Sequence, residues 1–291
     1  MRCFSLSDKI KLIFLLLLIP ACLYPQTKVD FARSLMNERD YFRAISIYKE
    51  LSFFSTNNDS TVFYLFQVGK AYRLSHKYDL SIEIYTGILN SYRLSQSVSN
   101  AIYLNLGLNY VEMQIPTQAL PYFYEARSVD TSGLALFYIG LAHCEMADWT
   151  HAQACYDSIS RTHASSTIGK LSAEFSSTLS NANDIPHRSP ALSAVLSTVV
   201  PGLGQLYSGH YFDAAQAFGF VASFSFVSYI AYHSDKKNNS NYLLTGIAVS
   251  LTSLFHVANI IGAERTAAYY NLRQEDLFLQ DIRQKSLSVD F

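Results

Sequence analysis

The sequence predicts an all-α protein: a helical solenoid, then a two-helix transmembrane hairpin preceded by a short re-entrant or interfacial helix. Three observations carry this. A small-residue and aromatic pattern recurs four times between residues 27 and 182. Runs without Asp, Glu, Lys or Arg then cover 191–212, 214–234 and 242–263. The first of these runs is broken by a glycine-rich turn, Val200-Pro-Gly-Leu-Gly-Gln-Leu-Tyr-Ser-Gly209.

Composition narrows the function. Of 291 residues, 49% are hydrophobic and only 15% charged, against about 25% charged in a typical soluble chain. The formal net charge is -1, so no global field recruits nucleic acid. No basic stripe is interleaved with aromatics, and nucleic acid is not expected as a partner. The 21 Tyr and 19 Phe suit the seams between packed helices.

Residues 1–26 read as a leader. Arg2, Lys9 and Lys11 precede an apolar stretch over 12–19, too short for a stable span. Ile19-Pro20-Ala21-Cys22 resembles a bacterial lipobox, with Pro20 where a small or branched residue is usual. That resemblance implies lipidation of Cys22. The alternative is an ordinary signal peptide cleaved near residues 21–27. Either kind of leader exports the chain beyond it.

From 27 to 182 the recurring small residues are Ala44, Ser81, Ala119 and Ala152, separated by 37, 38 and 33 residues. Four positions after each comes an aromatic: Tyr48, Tyr85, Phe123 and Tyr156. Twelve positions before each is another small residue: Ala32, Gly69, Gly107 and Gly140. This resembles the tetratricopeptide repeat, a helix-turn-helix unit of about 34 residues. Two helices approach closely where both carry small side chains, and the aromatic fills the gap against the next unit. Ile168, Leu171, Phe175 and Leu179 form one stripe of a closing helix.

The resemblance implies that the first helix of each unit lines a concave groove. Carried over, that surface comprises Phe63, Phe66, Lys70 and Arg73, then Leu104, Leu108 and Val111, then Phe137, Leu141 and Cys144. It is mostly apolar and lacks the basic-plus-Asn set with which some members clamp a C-terminal carboxylate. The expected occupant is an apolar segment of another envelope protein, with an acidic flank beside Lys70 and Arg73. The chain's own tail around Phe278 and Ile282 is a competing occupant, and packing against neighbouring helices is the competing use of these residues.

Cys144 and Cys155 fall in one predicted hairpin. With Gly140 facing Ala152, they lie about 10 Å apart along the helices, beyond disulfide reach. Two buried thiols are expected. No cysteine pair has metal-ligand spacing, so neither a metal nor a cofactor is expected.

After a linker at 183–190, residues 191–271 read as a membrane domain with spans at about 213–233 and 242–263, each near the twenty residues a span needs. A very apolar soluble helix pair is the alternative. In the first run Pro201 removes a backbone donor, while Gly202 and Gly204 permit unusual turns. Unsatisfied backbone is costly in hydrocarbon, so this elbow should be interfacial or packed against the spans. Tyr207, Tyr211 and Phe212 suit the headgroup level. Pro201, Gly202, Gly204, Gln205, Tyr207 and Gly209 resemble the signature of small bacterial two-helix membrane domains, similar to the TM2 domain. His256, Asn259, Gly262 and Tyr270-Asn271 fit the same group. The resemblance implies an architecture and no settled activity.

The glycine spacing lacks the Lys-Ser/Thr of a phosphate loop. His256 and Asn259, one turn apart inside the last span, are functional candidates or an interhelical hydrogen-bond pair. The uncharged runs 214–234 and 242–263 hold no carboxylate, which argues against proton-coupled transport. With no GxSxG or HExxH, no enzyme is expected. The reading is an envelope scaffold, with an assembly factor for envelope proteins as the alternative and a membrane enzyme using His256 as a distant third. Residues 272–291 form a polar tail in which Leu277, Phe278, Leu279 and Ile282 suggest a weak amphipathic helix.

Overall fold

In a computed structural model, residues 27–128 and 130–289 are described, and the leader with Cys22 lies outside them. The described residues form α-helices and one 3-10 turn, with no strand among them. The helices are α1 (Lys28–Asn37), α2 (Tyr41–Phe54), α3 (Asn58–Leu74), α4 (Tyr78–Ser91), α5 (Gln96–Glu112), α6 (Pro116–Arg127) and α7 (Leu134–Glu145). Then come α8 (Trp149–Thr162), α9 (Thr167–Leu179), α10 (Pro190–Val199), α11 (Leu203–Tyr207), α12 (Tyr211–Lys237) and α13 (Leu243–Leu287). They fall into two compact units. One holds α1–α7 with residues 158–169; the other holds residues 147–157 and 170–289.

In the first unit each helix packs on the next, α1 on α2 through α6 on α7, and α5 also meets α3 and α7. The turns within pairs share one geometry. Arg39, His76 and Gln114 are left-handed, at φ 63°, 60° and 62°, and Ala147 after α7 has the same conformation at 55°. The next N–H then reaches back over the helix end: Asp40 to Leu35 O (2.8 Å), Lys77 to Tyr72 O (2.9 Å) and Ile115 to Tyr110 O (2.9 Å). This satisfies carbonyls that a helix terminus leaves open. Glycine usually fills such a position, and its absence here hides the turns from sequence inspection.

The small residues lie where helices touch. Ala32, Ala44, Ser81 and Ala119 are fully buried. A Cβ on Gly69 would stand 2.7 Å from the Tyr85 ring, and one on Gly107 2.3 Å from the Phe123 ring. Each aromatic therefore covers the glycine of its own unit. Tyr85 also shares a core cluster with Ile102 and Leu106 of α5, which is the gap-filling role expected of it. Its burial raises the phenol pKa.

In the second unit, α12 and α13 are long and apolar enough to cross a membrane. Only 22% and 11% of their most apolar windows are buried, which opposes the alternative of a soluble core pair. They pack through Phe224 stacked on Phe255 at 4.3 Å and Ser228 against Thr252 at 2.9 Å. Their connection is closed by buried Asp235, which accepts from Ser240 Oγ (2.7 Å) and from Thr245 N and Oγ1 (3.0 and 2.7 Å).

The tail is no separate segment, because α13 continues unbroken to Leu287. Its last turns pack on the opening of α8 and on α9. Phe278 lies 5.7 Å from Trp149, Lys285 pairs with Glu174 at 2.6 Å, and Leu279 and Ile282 are buried. These contacts draw part of α8 and most of α9 into the second unit, so the contacts do not divide at the expected 183–190 linker. Cys144 is a buried thiol and Cys155 only half-buried, which corrects the expectation of two buried ones.

Candidate functional site

The elbow resolves the glycine-rich motif residue by residue. α10 packs along α13, with Ser193 Oγ donating to Ala263 O at 2.7 Å. The chain then turns at Pro201-Gly202, and α11 returns so that the Tyr207 hydroxyl accepts from Ser189 N at 3.2 Å. Gly202 has φ +88°, and a Cβ there would stand 2.3 Å from Ala214 O. A Cβ on Gly204 would stand 2.1 Å from Ser193 O. Gly209 has φ +80° with open space around it.

The elbow's buried backbone donors are met by side chains, as its place among apolar helices requires. Gly202 N donates to Asn259 Oδ1 (3.1 Å) and Gly204 N to Ser197 Oγ (2.9 Å). Gln205 Nε2 donates to Asn259 O and Oδ1 (3.1 Å each), Ser197 Oγ to Gln205 Oε1 (3.0 Å), and Asn259 Nδ2 to Ser197 O (3.3 Å). Ser193, Ser197, Gln205 and Asn259 are all buried. Asn259 is thus interhelical glue, but without its expected companion: His256 is half-buried, and its Nδ1 has no partner among the described residues. Ser193 and Ser197 escape sequence inspection, although two serines one turn apart in an apolar helix signal such a role.

At the mouth of the elbow, Asn271 clamps the backbone of Arg188, accepting from its N at 2.7 Å and donating to its O at 2.9 Å. The Arg188 guanidinium lies 5.0 Å from the Tyr207 ring and 5.5 Å from the Tyr270 ring. Beside it, His187 Nδ1 faces Ile185 O at 2.8 Å and Nε2 faces Glu275 at 3.2 Å. Both ring nitrogens meet acceptors, so the protonated ring is favoured, and Glu275 first and Ile185 O second raise the His187 pKa.

The expected groove is only partly open. In the first unit Leu104, Leu108 and Val111 of α5 and Phe137 and Leu141 of α7 are buried, as is Cys144. These residues are core, which corrects their assignment as an open lining. The reason is local: α5 packs against α3, α4, α6 and α7, and α7 is apolar around its whole circumference, the pattern of a buried helix. Arg73 is also buried. It pairs with Glu112 and donates from Nε to Asn105 Oδ1 at 3.3 Å, so it is no edge charge for a partner. Lys70 is half-buried.

The region between the N-terminal half of α3 and the start of α5 stays open. There Val62, Phe63, Phe66, Leu94 and Val98 line a cleft of about 420 Å³, with Asp59 and Arg93 beside them. Phe63 is 42% exposed, and Phe66 is half-buried against Tyr85, 5.5 Å away. Arg93 and Leu94 escape sequence inspection because they lie in the connection before α5, outside the first helices of the units.

Searched against models of known protein families and against curated proteins, the chain matches none.

Proposed function

We propose that this chain is a membrane-tethered helical-repeat scaffold of the bacterial cell envelope, which holds another envelope protein through its repeats and performs no chemistry itself. The supporting observation is a combination within one chain. An apolar cleft stays open in the first unit, while two long apolar helices stay uncovered in the second. Large exposed apolar surface marks a protein or membrane contact. The recurrent turn at Arg39, His76, Gln114 and Ala147, in step with the small-residue spacing, supports a tetratricopeptide-like solenoid over residues 27–182. The filled positions of the Pro-Gly-x-Gly-Gln-x-Tyr-x-Gly motif support the two-helix membrane domain, with α10 and α11 as its re-entrant part. In this reading the repeats are periplasmic, and the loop carrying Lys236 and Lys237 is cytoplasmic.

Two measurements test it. Alkaline carbonate should leave the full chain in the membrane pellet; release would end the membrane reading. A photo-crosslinking amino acid at position 63, in the cleft, should give one discrete adduct in cells, whereas the same group at the exposed Gln114 should not. Identical adduct patterns at both positions would end the scaffold reading.

A further inference from the structure

We infer that Arg188 is a binding site for the phosphodiester group of a membrane phospholipid, at the level where the elbow leaves the hydrocarbon. This rests on the membrane reading of α12 and α13. Arg188 is held in place without using its side-chain hydrogen-bond donors. Asn271 fixes its backbone from both sides, and the tyrosines 207 and 270 bring their rings within cation–π range of the guanidinium.

Among the described residues none takes a hydrogen bond from its guanidinium. Arg188 Nε is shielded from solvent and has no hydrogen-bond partner. The Glu275 carboxylate pairs instead with the neighbouring His187. A buried donor without an acceptor costs free energy, and a guanidinium fork takes the oxygen pair of a phosphate in bidentate geometry.

Its depth points to a lipid as the source of that phosphate. Leu192, Val195 and Val199 of α10 are 45%, 59% and 76% exposed. Their spacing of three and four places them on one face, and Arg188 precedes the N-cap Ser189 of the same helix. Arg188 thus lies at the N-terminal end of the helix that carries this uncovered apolar stripe. Tyr207 and Tyr270 at the same level are the aromatics expected at an interface. A dissolved anion would draw nothing from the apolar stripe.

The test uses the full-length protein in nonionic detergent with phosphatidylglycerol added, and counts retained lipid by native mass spectrometry. Arg188→Gln should retain the lipid about fivefold more weakly than the parent. Arg188→Lys, which keeps the charge but loses the fork, should fall between them. A photoactivatable phosphatidylglycerol should label the peptide of the parent that contains Arg188, a readout independent of how the variants fold. Equal retention by parent and Arg188→Gln, or labelling of the parent only elsewhere, overturns the assignment. Displacement of the lipid by millimolar inorganic phosphate overturns it in favour of a site for dissolved anions. Release of the parent by alkaline carbonate overturns the membrane reading as well. Retention in the pellet with equal lipid counts overturns the phosphodiester site alone.

Discussion

Gln205 donates from one amide nitrogen to both the backbone and the side-chain oxygen of Asn259, at 3.1 Å each. The two residues sit on different helices, 54 positions apart, and both are buried. Asn259 Oδ1 also takes the Gly202 N–H, so one side chain serves both the turn of the elbow and the helix after it. The motif glycines bring the backbone close, and the two amides satisfy the groups that this approach would leave unpaired.

Asn259→Leu should therefore cost more than its own lost bonds, because Gly202 N–H and the Gln205 amide stay buried. A loss of about 1–3 kcal/mol is expected, read as SDS-induced unfolding in mixed micelles. Gln205→Leu should cost a similar amount. The double variant should cost less than the two losses added, with a coupling of about 0.5–2 kcal/mol. Strict additivity would show that the amides act separately.

The three glycines of the elbow differ in what they tolerate. Gly204→Ala forces a methyl onto Ser193 O, a backbone atom that cannot swing away, so the thermal midpoint in detergent should drop sharply. Gly202→Ala meets Ala214 O and positive φ together and should be at least as damaging. Gly209→Ala meets open space and carries only the left-handed backbone, a cost of about 1–2 kcal/mol. If Gly209→Ala proves worse than Gly204→Ala, close approach is not what these glycines provide.

In the first unit the same logic separates Gly107 from Gly87. A Cβ on Gly107 would overlap the Phe123 ring at 2.3 Å, while one on Gly87 meets nothing within 4 Å. Gly107→Ala should lower the unfolding midpoint, and Phe123→Leu should recover part of that loss by clearing space. Gly87→Ala lies mid-helix in α4 and should stabilise by about 0.5–1 kcal/mol. Equal effects of the two alanines would remove the case for a close helix crossing at Gly107.

The reach of the sequence depends on which residues carry local signals. The helix-crossing positions were legible, because a small residue at a fixed offset from an aromatic reports a contact within one unit. The elbow was legible in Pro201, Gly202 and Gly204, whose backbone chemistry is unusual wherever it occurs. The status of Leu104, Leu108 and Phe137 was not. Whether an apolar face lines a groove or enters the core depends on helices dozens of residues away, here α3 and α7 around α5. Arg73 misled for the same reason, since its partner Glu112 lies 39 residues on. The left-handed turns hid behind Arg39, His76 and Gln114. At the last of these, Gln114→Gly should stabilise by a few tenths to about 1 kcal/mol in chemical unfolding. A loss would mean that the glutamine side chain contributes more than its backbone strain costs.

The contact between His187 and Glu275 makes the mouth of the elbow sensitive to pH. The Glu275 carboxylate, and after it Ile185 O, raise the His187 pKa above that of a free histidine, about 6.5. The folded state therefore binds the proton more tightly than the unfolded chain does. The contribution is fully present below about 6.5, as long as Glu275 stays ionised, and is lost as pH rises through the higher folded value. The effect is modest, because the His187 side chain is 51% exposed and water screens such pairs. The measurement is the detergent unfolding midpoint of the parent and of His187→Gln across pH 5 to 9. The parent should lead at pH 6, and the gap should close toward alkaline pH. A gap that widens with rising pH would mean that the neutral ring is the form the fold prefers, and that the Ile185 carbonyl alone sets its orientation.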